Sequence, residues 1–90
     1  MIFSEDAIDE LRSLGDIVRW AASRFNEAEL SFGHGADNSM DEAFFLVCHS
    51  LNLPHDIPPY MINSRLTKAE RRTALNLILQ RISTDRKSVV

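Results

Sequence analysis

Apolar residues recur every three or four positions in three segments of the chain, which is the spacing of amphipathic helices. We predict one long helix in the first segment, from about Glu5 to about Ala28. Its apolar positions are Ile8, Leu11, Leu14, Val18, Ala21, Ala22 and Phe25. Those of the second segment are Met40, Ala43, Phe44, Val47, Cys48 and Leu51. Those of the third are Ala74, Leu75, Ile78, Leu79 and Ile82. Because no segment alternates with a period of two residues, we predict an all-α fold, a small antiparallel bundle of three main helices.

Local signals predict where the second helix begins and ends. Ser39 has the character of an N-cap, and Glu42 three residues later completes a capping box. The helix is expected to end at Asn52, because Pro54 follows and the residue before a proline is displaced from the helical region. Two prolines at 58 and 59 predict a short turn of helix in the proline-rich connector, since proline is tolerated at the first helical positions.

Four further residues predict local features of the first and last helices. Thr67 and Glu70 form a second capping box, which opens the last helix. Gly15 lies inside the first helix, where it indicates a bend or the close approach of another element. Trp20 lies off the apolar stripe and indicates either a second packing surface or an exposed aromatic residue for binding.

The loop between the first and second helices is rich in glycine and in hydrogen-bonding side chains. Glycines at 33 and 35 flank His34 and allow a tight turn that displays the imidazole. Two interpretations stay open: His34 and Asp37 hold the loop against the first helix, or they contact a partner. The candidate contact residues of this loop are Phe32, His34, Asp37 and Asn38.

Length and composition indicate one small globular domain. The chain has 90 residues, of which 44% are hydrophobic and 26% charged. Cys48 is the single cysteine, which rules out an internal disulfide within these residues. The longest apolar run, from Ala43 to Cys48, is far shorter than the roughly 20 residues that cross a bilayer. We therefore expect no membrane association and a cytoplasmic location.

Charge divides the chain into an acidic and a basic part. Residues 1–60 contain three Arg and eleven Asp and Glu, for a net charge of −8, whereas residues 61–90 contain seven Lys and Arg and two acids, for +5. Arg65, Lys68, Arg71 and Arg72 gather at the start of the last helix, where cations meet the helix dipole unfavourably. This basic group is either a solvated face or a contact for nucleic acid, with Arg65 and Arg72 as candidate residues.

The sequence offers no catalytic motif. The three histidines lack the spacing of a helical metal site, and no glycine-rich phosphate loop follows a strand. Ile57-Pro58-Pro59-Tyr60 is similar to the Asn-Pro-Pro-Tyr loop of amino-methyltransferases, but isoleucine has no amide to hold a target nitrogen. We predict no catalytic, cofactor-binding or metal-binding residue in these 90 residues.

Several motifs of this chain occur together in one known family of proteins. In the first helix they are Leu11, Arg19-Trp20 and Ser23-Arg24-Phe25. In and after the loop they are Phe32-Gly33-His34-Gly35, Asp37-Asn38 and Asp41-Glu42-Ala43. In the connector and last helix they are Leu53-Pro54, Asp56-Ile57-Pro58 and Arg65-Leu66-Thr67 with Glu70. With these motifs the chain resembles the N-terminal helical domain of HemK-type protein-glutamine methyltransferases, in particular the branch that methylates a glutamine side-chain amide of ribosomal protein L three. Ser88 departs from this family, which usually has proline there.

The resemblance implies a substrate-recognition domain over residues 1–84 and, over 85–90, the start of a linker to a Rossmann-like methyltransferase domain. The polar residues 83–87, followed by a terminal Val89-Val90, also favour a domain boundary there. The full-length parent is expected to use S-adenosylmethionine and to act on a ribosomal protein. The loop residues, Arg65 and Arg72 would then contact substrate, ribosomal RNA or the parent's own catalytic domain.

Other functions remain open at this stage. One is a free-standing helical module for protein interaction, and another is the N-terminal domain of a related amino-methyltransferase that acts on a release factor or on DNA adenine. A helical DNA-binding domain is disfavoured, because the connector before the last helix is too long and proline-rich for a helix-turn-helix and the chain is acidic.

Overall fold

The computed structural model describes residues 5–28 and 38–85. Four α-helices follow one another in these ranges: α1 (Glu5–Glu10), α2 (Leu14–Glu27), α3 (Ser39–Ser50) and α4 (Lys68–Asp85). A 3-10 helix, Pro59–Asn63, lies in the connector between α3 and α4, where the sequence predicted a helical turn. The described residues contain no strand, so the prediction of a small all-α bundle is confirmed.

The prediction of one continuous first helix is wrong, because a capping box formed by Ser13 and Asp16 interrupts it. Ser13 Oγ accepts a hydrogen bond from Asp16 N at 3.1 Å, and Asp16 Oδ2 accepts one from Ser13 N, also at 3.1 Å. The same Asp16 oxygen accepts from Arg12 N at 3.1 Å. These side chains satisfy backbone amides that would otherwise lack partners, so the chain begins a new helix at Leu14.

The break between α1 and α2 is also paired with the segment that precedes α4. Leu14 N donates to Ser64 O at 3.0 Å, and Leu66 N donates to Arg12 O at 2.8 Å. Ser13 and Arg65 thus form an isolated antiparallel bridge. Backbone groups that a continuous helix would use internally here join the break after α1 to the segment that precedes α4.

Gly15 lies against the 3-10 helix, so a close approach, one of the two predicted alternatives, is observed at this position. A β-carbon at this position would lie 2.6 Å from Ile62 Cγ2 and 3.1 Å from the Ile62 carbonyl oxygen. Both distances are shorter than ordinary van der Waals contact, so a hydrogen in place of a side chain lets the connector pack onto α2.

The core lies between α2 and the three other α-helices. Phe25 is its largest fully buried side chain. Its other buried hydrophobic residues are Ile8, Leu11, Leu14, Ile17, Val18, Ala21, Ala22, Ala43, Val47, Cys48, Leu66, Ala74, Leu75 and Ile78. Trp20 is half-buried and packs against this core, with the Arg24 guanidinium 5.5 Å from its ring centroid. Packing, rather than exposure for binding, is therefore the role that the structure supports for Trp20.

The predicted start of the second long helix is displaced by one residue. Asn38, not Ser39, is the N-cap of α3, and its Oδ1 accepts a hydrogen bond from Asp41 N at 2.9 Å. Glu42 does not complete a capping box, since its Oε2 pairs with Arg81 Nε of α4 at 2.7 Å. Asparagine caps a helix at least as well as serine, and the ion pair draws the Glu42 side chain away from the helix start.

The C-terminal end of α3 and the start of α4 follow their sequence signals closely. α3 ends at Ser50, two residues before the predicted end, and Asn52 then takes a left-handed conformation with φ of 61°. At α4 the predicted capping box is confirmed: Thr67 N donates to Glu70 Oε1 at 2.9 Å, and Glu70 N donates to Thr67 Oγ1 at 3.1 Å.

Candidate functional site

The predicted contact residues of the glycine-rich loop fall mostly beyond the part of the chain that the structure describes. Phe32, His34 and Asp37 lie outside the described residues. Asn38 is exposed, and its side chain caps α3. The structure thus gives Asn38 a local structural role, while contact of the other three with a partner stays a prediction.

The basic group before and within the first turns of α4 divides into exposed and buried members. Arg65, Lys68 and Arg72 are exposed. Lys68 Nζ lies 3.5 Å from Asp9 Oδ1 in a pair whose two side chains are largely solvated. Lys68 and Arg72 are four residues apart on α4 and therefore share one face of the helix. Three cations, Arg65, Lys68 and Arg72, consequently lie at the surface at this end of α4.

Arg71 differs from its neighbours because its side chain is buried. Its Nε donates to Leu66 O at 3.0 Å, and its Nη1 donates to Ile8 O at 2.8 Å. The guanidinium thereby connects α1 to the residues that precede α4. Arg71 is one of the four basic residues at the start of α4, but its position four residues before Leu75 also places it on the apolar stripe of the helix.

α3 exposes two large apolar side chains, of which Met40 belongs to the apolar stripe that the periodicity predicts to face the core. Met40 is 50% exposed and Phe45 is 44% exposed. Phe45 meets His55 of the connector edge to face, with ring centroids 4.0 Å apart and an interplanar angle of 84°. Asp41 and Phe44 complete the lining of a surface pocket of about 380 Å³ at this position. The prediction that Met40 faces the core is therefore wrong.

A second surface pocket, of about 420 Å³, lies between α3 and α4 and is lined mainly by polar side chains. Its lining residues are His49, Ser50, Thr73, Asn76, Leu77 and Gln80. A smaller pocket of about 180 Å³ shares Ser50 and Thr73 with it, so the two form one groove along α4. The hydroxyl and amide groups of this groove can donate and accept hydrogen bonds, which suits contact with another polypeptide.

The one thiol of the chain is placed for packing rather than chemistry. Cys48 lies fully buried in α3, and burial raises the pKa of its thiol. The neutral thiol is a poor nucleophile and a poor metal ligand. Among the described residues no group of three or more His, Cys, Asp or Glu side chains could hold a metal ion. None of the helices described is both long and apolar enough to span a bilayer.

Similarity to known proteins is high over most of the chain. Over 76 residues, 84% of the chain, it is 50% identical to the ribosomal protein uL3 glutamine methyltransferase of Xanthomonas campestris pv. campestris. It is 45% identical over 80 residues to the enzyme of the same name from Neisseria meningitidis serogroup A, and 47% identical over 75 residues to that from Neisseria gonorrhoeae. These alignments cover 89% and 83% of the chain.

The similarity covers only part of those enzymes. The aligned residues make up 25%, 26% and 25% of the three relatives, respectively. No protein-family model and no solved structure matches the chain. By sequence, then, the chain is homologous to ribosomal protein uL3 glutamine methyltransferases, and it spans about a quarter of their length.

Proposed function

We propose that this chain is the substrate-recognition domain, not itself catalytic, of an S-adenosylmethionine-dependent methyltransferase that methylates a glutamine side-chain amide of ribosomal protein uL3. The observation that carries the proposal is the identity of 45% to 50% with curated uL3 glutamine methyltransferases over more than four fifths of the chain. The catalytic domain of the parent would supply the cofactor site and the reacting groups.

The surface of the described residues supports a role in binding. The large hydrophobic side chains that remain exposed are Met40, Phe45 and Tyr60, and exposed apolar side chains of this size are common at protein interfaces. The groove between α3 and α4 adds hydrogen-bonding groups on a neighbouring surface. By contrast, the capping side chains and Arg71 are occupied in holding the helices together.

Binding to uL3 and to S-adenosylmethionine can be measured separately on the 90-residue chain by calorimetry. We expect uL3 to bind and the cofactor to give no heat above background. Saturable binding of the cofactor would contradict the assignment of a non-catalytic domain. A release factor and an adenine-containing DNA duplex serve as competing substrates, and tighter binding of either one would assign the domain to a different methyltransferase.

The parent gene provides a further test that needs no protein. The reading frame should continue past Val90 into a glycine-rich motif and, further downstream, an Asn-Pro-Pro-Tyr motif. A stop codon shortly after Val90 would instead favour a free-standing interaction module. In the full-length enzyme, deletion of residues 1–84 should raise the KM for uL3 while binding of S-adenosylmethionine is retained.

Ribosomal RNA is a second partner that the basic start of α4 would suit. Arg65 and Lys68 are exposed there, and exposed cations bind phosphates with release of counterions. If RNA is contacted, its affinity for the chain should fall steeply with salt, and replacement of Arg65 by Gln should reduce the salt slope by about 1. A salt-independent affinity would exclude this contact.

A further inference from the structure

The aromatic pocket on α3 is the exposed feature that packing leaves unexplained. We use this name for the pocket formed by Asp41, Phe44, Phe45 and His55, with a volume of about 380 Å³. The three α3 residues are spaced by three and four positions, so they lie on one face of the helix. Met40 precedes Phe44 by four residues and extends the same surface, half exposed. Apolar groups remain in contact with water here although a core lies on the other side of the helix.

The ring geometry leaves an aromatic face available for a ligand. Phe45 and His55 are nearly perpendicular, with an interplanar angle of 84° and centroids 4.0 Å apart. In such an arrangement each ring keeps at least one face that the other does not cover. The contact also limits rotation of Phe45, so the pocket is partly organised before a ligand arrives.

The chemistry of the pocket favours a cation. The faces of aromatic rings carry negative electrostatic potential and attract Lys or Arg groups within about 6 Å of the ring centroid. Asp41 adds a carboxylate to the same lining. The capping bond of Asp41 uses its backbone amide, which donates to Asn38, and leaves the carboxylate for a charge-assisted hydrogen bond.

The surrounding sequence reinforces this preference. No Lys or Arg occurs between Arg24 and Arg65. The same stretch contains six acids, namely Glu27, Glu29, Asp37, Asp41, Glu42 and Asp56. Two of them are paired with arginines, Glu27 with Arg24 and Glu42 with Arg81, so the stretch keeps an excess of four negative charges. Phosphates would be repelled by this composition, whereas a basic polypeptide segment would be attracted. The pocket therefore suits a positively charged partner, whereas the basic start of α4 suits a negatively charged one.

From these observations we infer that the aromatic pocket of Asp41, Phe44, Phe45 and His55 binds a Lys or Arg side chain presented by a basic segment of the protein substrate. The inference rests on the proposed function for the identity of that protein, but not for the chemistry of the pocket. Phe45 provides the exposed ring face, Phe44, which also packs against the core, completes the apolar wall, and Asp41 provides the counter-charge.

Asp41 also has a local role that a test must separate from binding. A carboxylate in the first turn of α3 interacts favourably with the positive end of the helix dipole. Replacement by Asn should therefore lower the melting temperature slightly even if nothing binds the pocket. For this reason the readout is affinity, measured at a temperature where circular dichroism shows each variant to be folded.

The first arm of the experiment measures the affinity of the 90-residue chain for uL3 by calorimetry. Phe45→Leu removes the ring but keeps an apolar side chain, and Asp41→Asn removes the charge at nearly constant shape. We expect each to weaken binding about fivefold, the size of a single cation–π or charge contact. The matched control Glu10→Gln removes an exposed charge outside the pocket, and it should change the affinity less than twofold. Unchanged affinity in both pocket variants overturns the inference and leaves the proposed function intact.

The second arm tests the pocket without uL3, using a synthetic hexa-arginine peptide and nuclear magnetic resonance. The ring signals of Phe44, Phe45 and His55 should shift on titration, and Phe45→Leu and Asp41→Asn should reduce the shifts of the remaining signals. Shifts centred on another acidic surface, such as that around Glu10, would refute the cation pocket. If the peptide binds in the pocket but the chain does not bind uL3, the inference about the pocket is supported and the proposed substrate is refuted.

Discussion

Replacement of Arg71 by Met tests how the buried guanidinium contributes to stability. Methionine retains an unbranched apolar stem of similar length but cannot donate a hydrogen bond. Two carbonyl oxygens, those of Leu66 and Ile8, would lose their donors at 3.0 Å and 2.8 Å. Ile8 lies in the last turn of α1, where carbonyls have no partner within the helix. The Ile8 carbonyl oxygen would therefore have no hydrogen-bond donor in the variant.

The expected loss follows from the two bonds. Hydrogen bonds to charged groups contribute about 1.5 to 3 kcal/mol each, and part of this is recovered because a buried charge is removed as well. We expect Arg71→Met to lower the free energy of unfolding by about 3 kcal/mol. For a domain of this size that corresponds to a fall in Tm of roughly 12 to 24 °C.

Urea denaturation followed by the fluorescence of Trp20, the single tryptophan, measures this change. Arg71→Lys should recover little, because an ammonium is a point donor and cannot reach two carbonyls on separate segments as the planar guanidinium does. Arg19→Met is the matched control, since Arg19 is exposed on α2, and it should change stability by less than about 0.5 kcal/mol. A loss below about 1 kcal/mol for Arg71→Met would refute the assignment of Arg71 as the connection between α1 and α4.

Three other residues give shorter tests. Gly15→Ala places a β-carbon 2.6 Å from Ile62 Cγ2, so overpacking of about 1 to 3 kcal/mol should outweigh the helix propensity of alanine. Adding Ile62→Ala to the same chain should relieve part of this overpacking. A Gly15→Ala variant that is more stable than the original chain would contradict the close approach. Asn38→Ala should cost about 1 kcal/mol in chemical denaturation through loss of the α3 N-cap, whereas Asn38→Gly should cost only a few tenths; equal losses would argue against a capping role. Burial raises the pKa of Cys48 above its ordinary value of 9.0, so the neutral thiol is favoured in the folded state. The contribution of Cys48 to stability should therefore be fully present below pH 9.0 and be lost as pH rises through the folded pKa. Cys48→Ala should remove this alkaline dependence in urea titrations at several pH values, and its persistence would assign it to another group.

Sequence reasoning identified the helical segments well because their apolar spacing directly reflects burial. Every predicted apolar position from Ile8 to Phe25 is buried, even though the helix that was to carry them is interrupted. The apolar stripe does not reveal the interruption, because it continues in phase across it. Ser13 and Asp16 were the available signal, a capping box with Asp in the place of the usual Glu.

Features that depend on distant parts of the chain could not be predicted from periodicity. By its spacing from Ser39, Glu42 suits a capping box. Its side chain instead forms an ion pair with Arg81 of α4, a contact that the local sequence does not show. The exposure of Met40 and Phe45 depends on where the connector passes, since His55 packs against Phe45 there. Local pattern specifies which residues can face inward, and tertiary contact decides which of them do.

The connection of α1 to α4 by Arg71 has a consequence for how the domain is made. The hydrogen bond from Arg71 to Ile8 joins residues 63 positions apart, so a loop of that size must close before it can form. The ribosome adds roughly 5 to 20 residues per second, so α1 emerges several seconds before its partner in α4 exists. Because contacts of such high sequence separation close slowly, we expect the packing of α2 on α3 to precede the docking of α1. Of the described helices, α1 is synthesised before the others and would then be the last to be secured, and weakening its attachment would speed unfolding more than it slows folding.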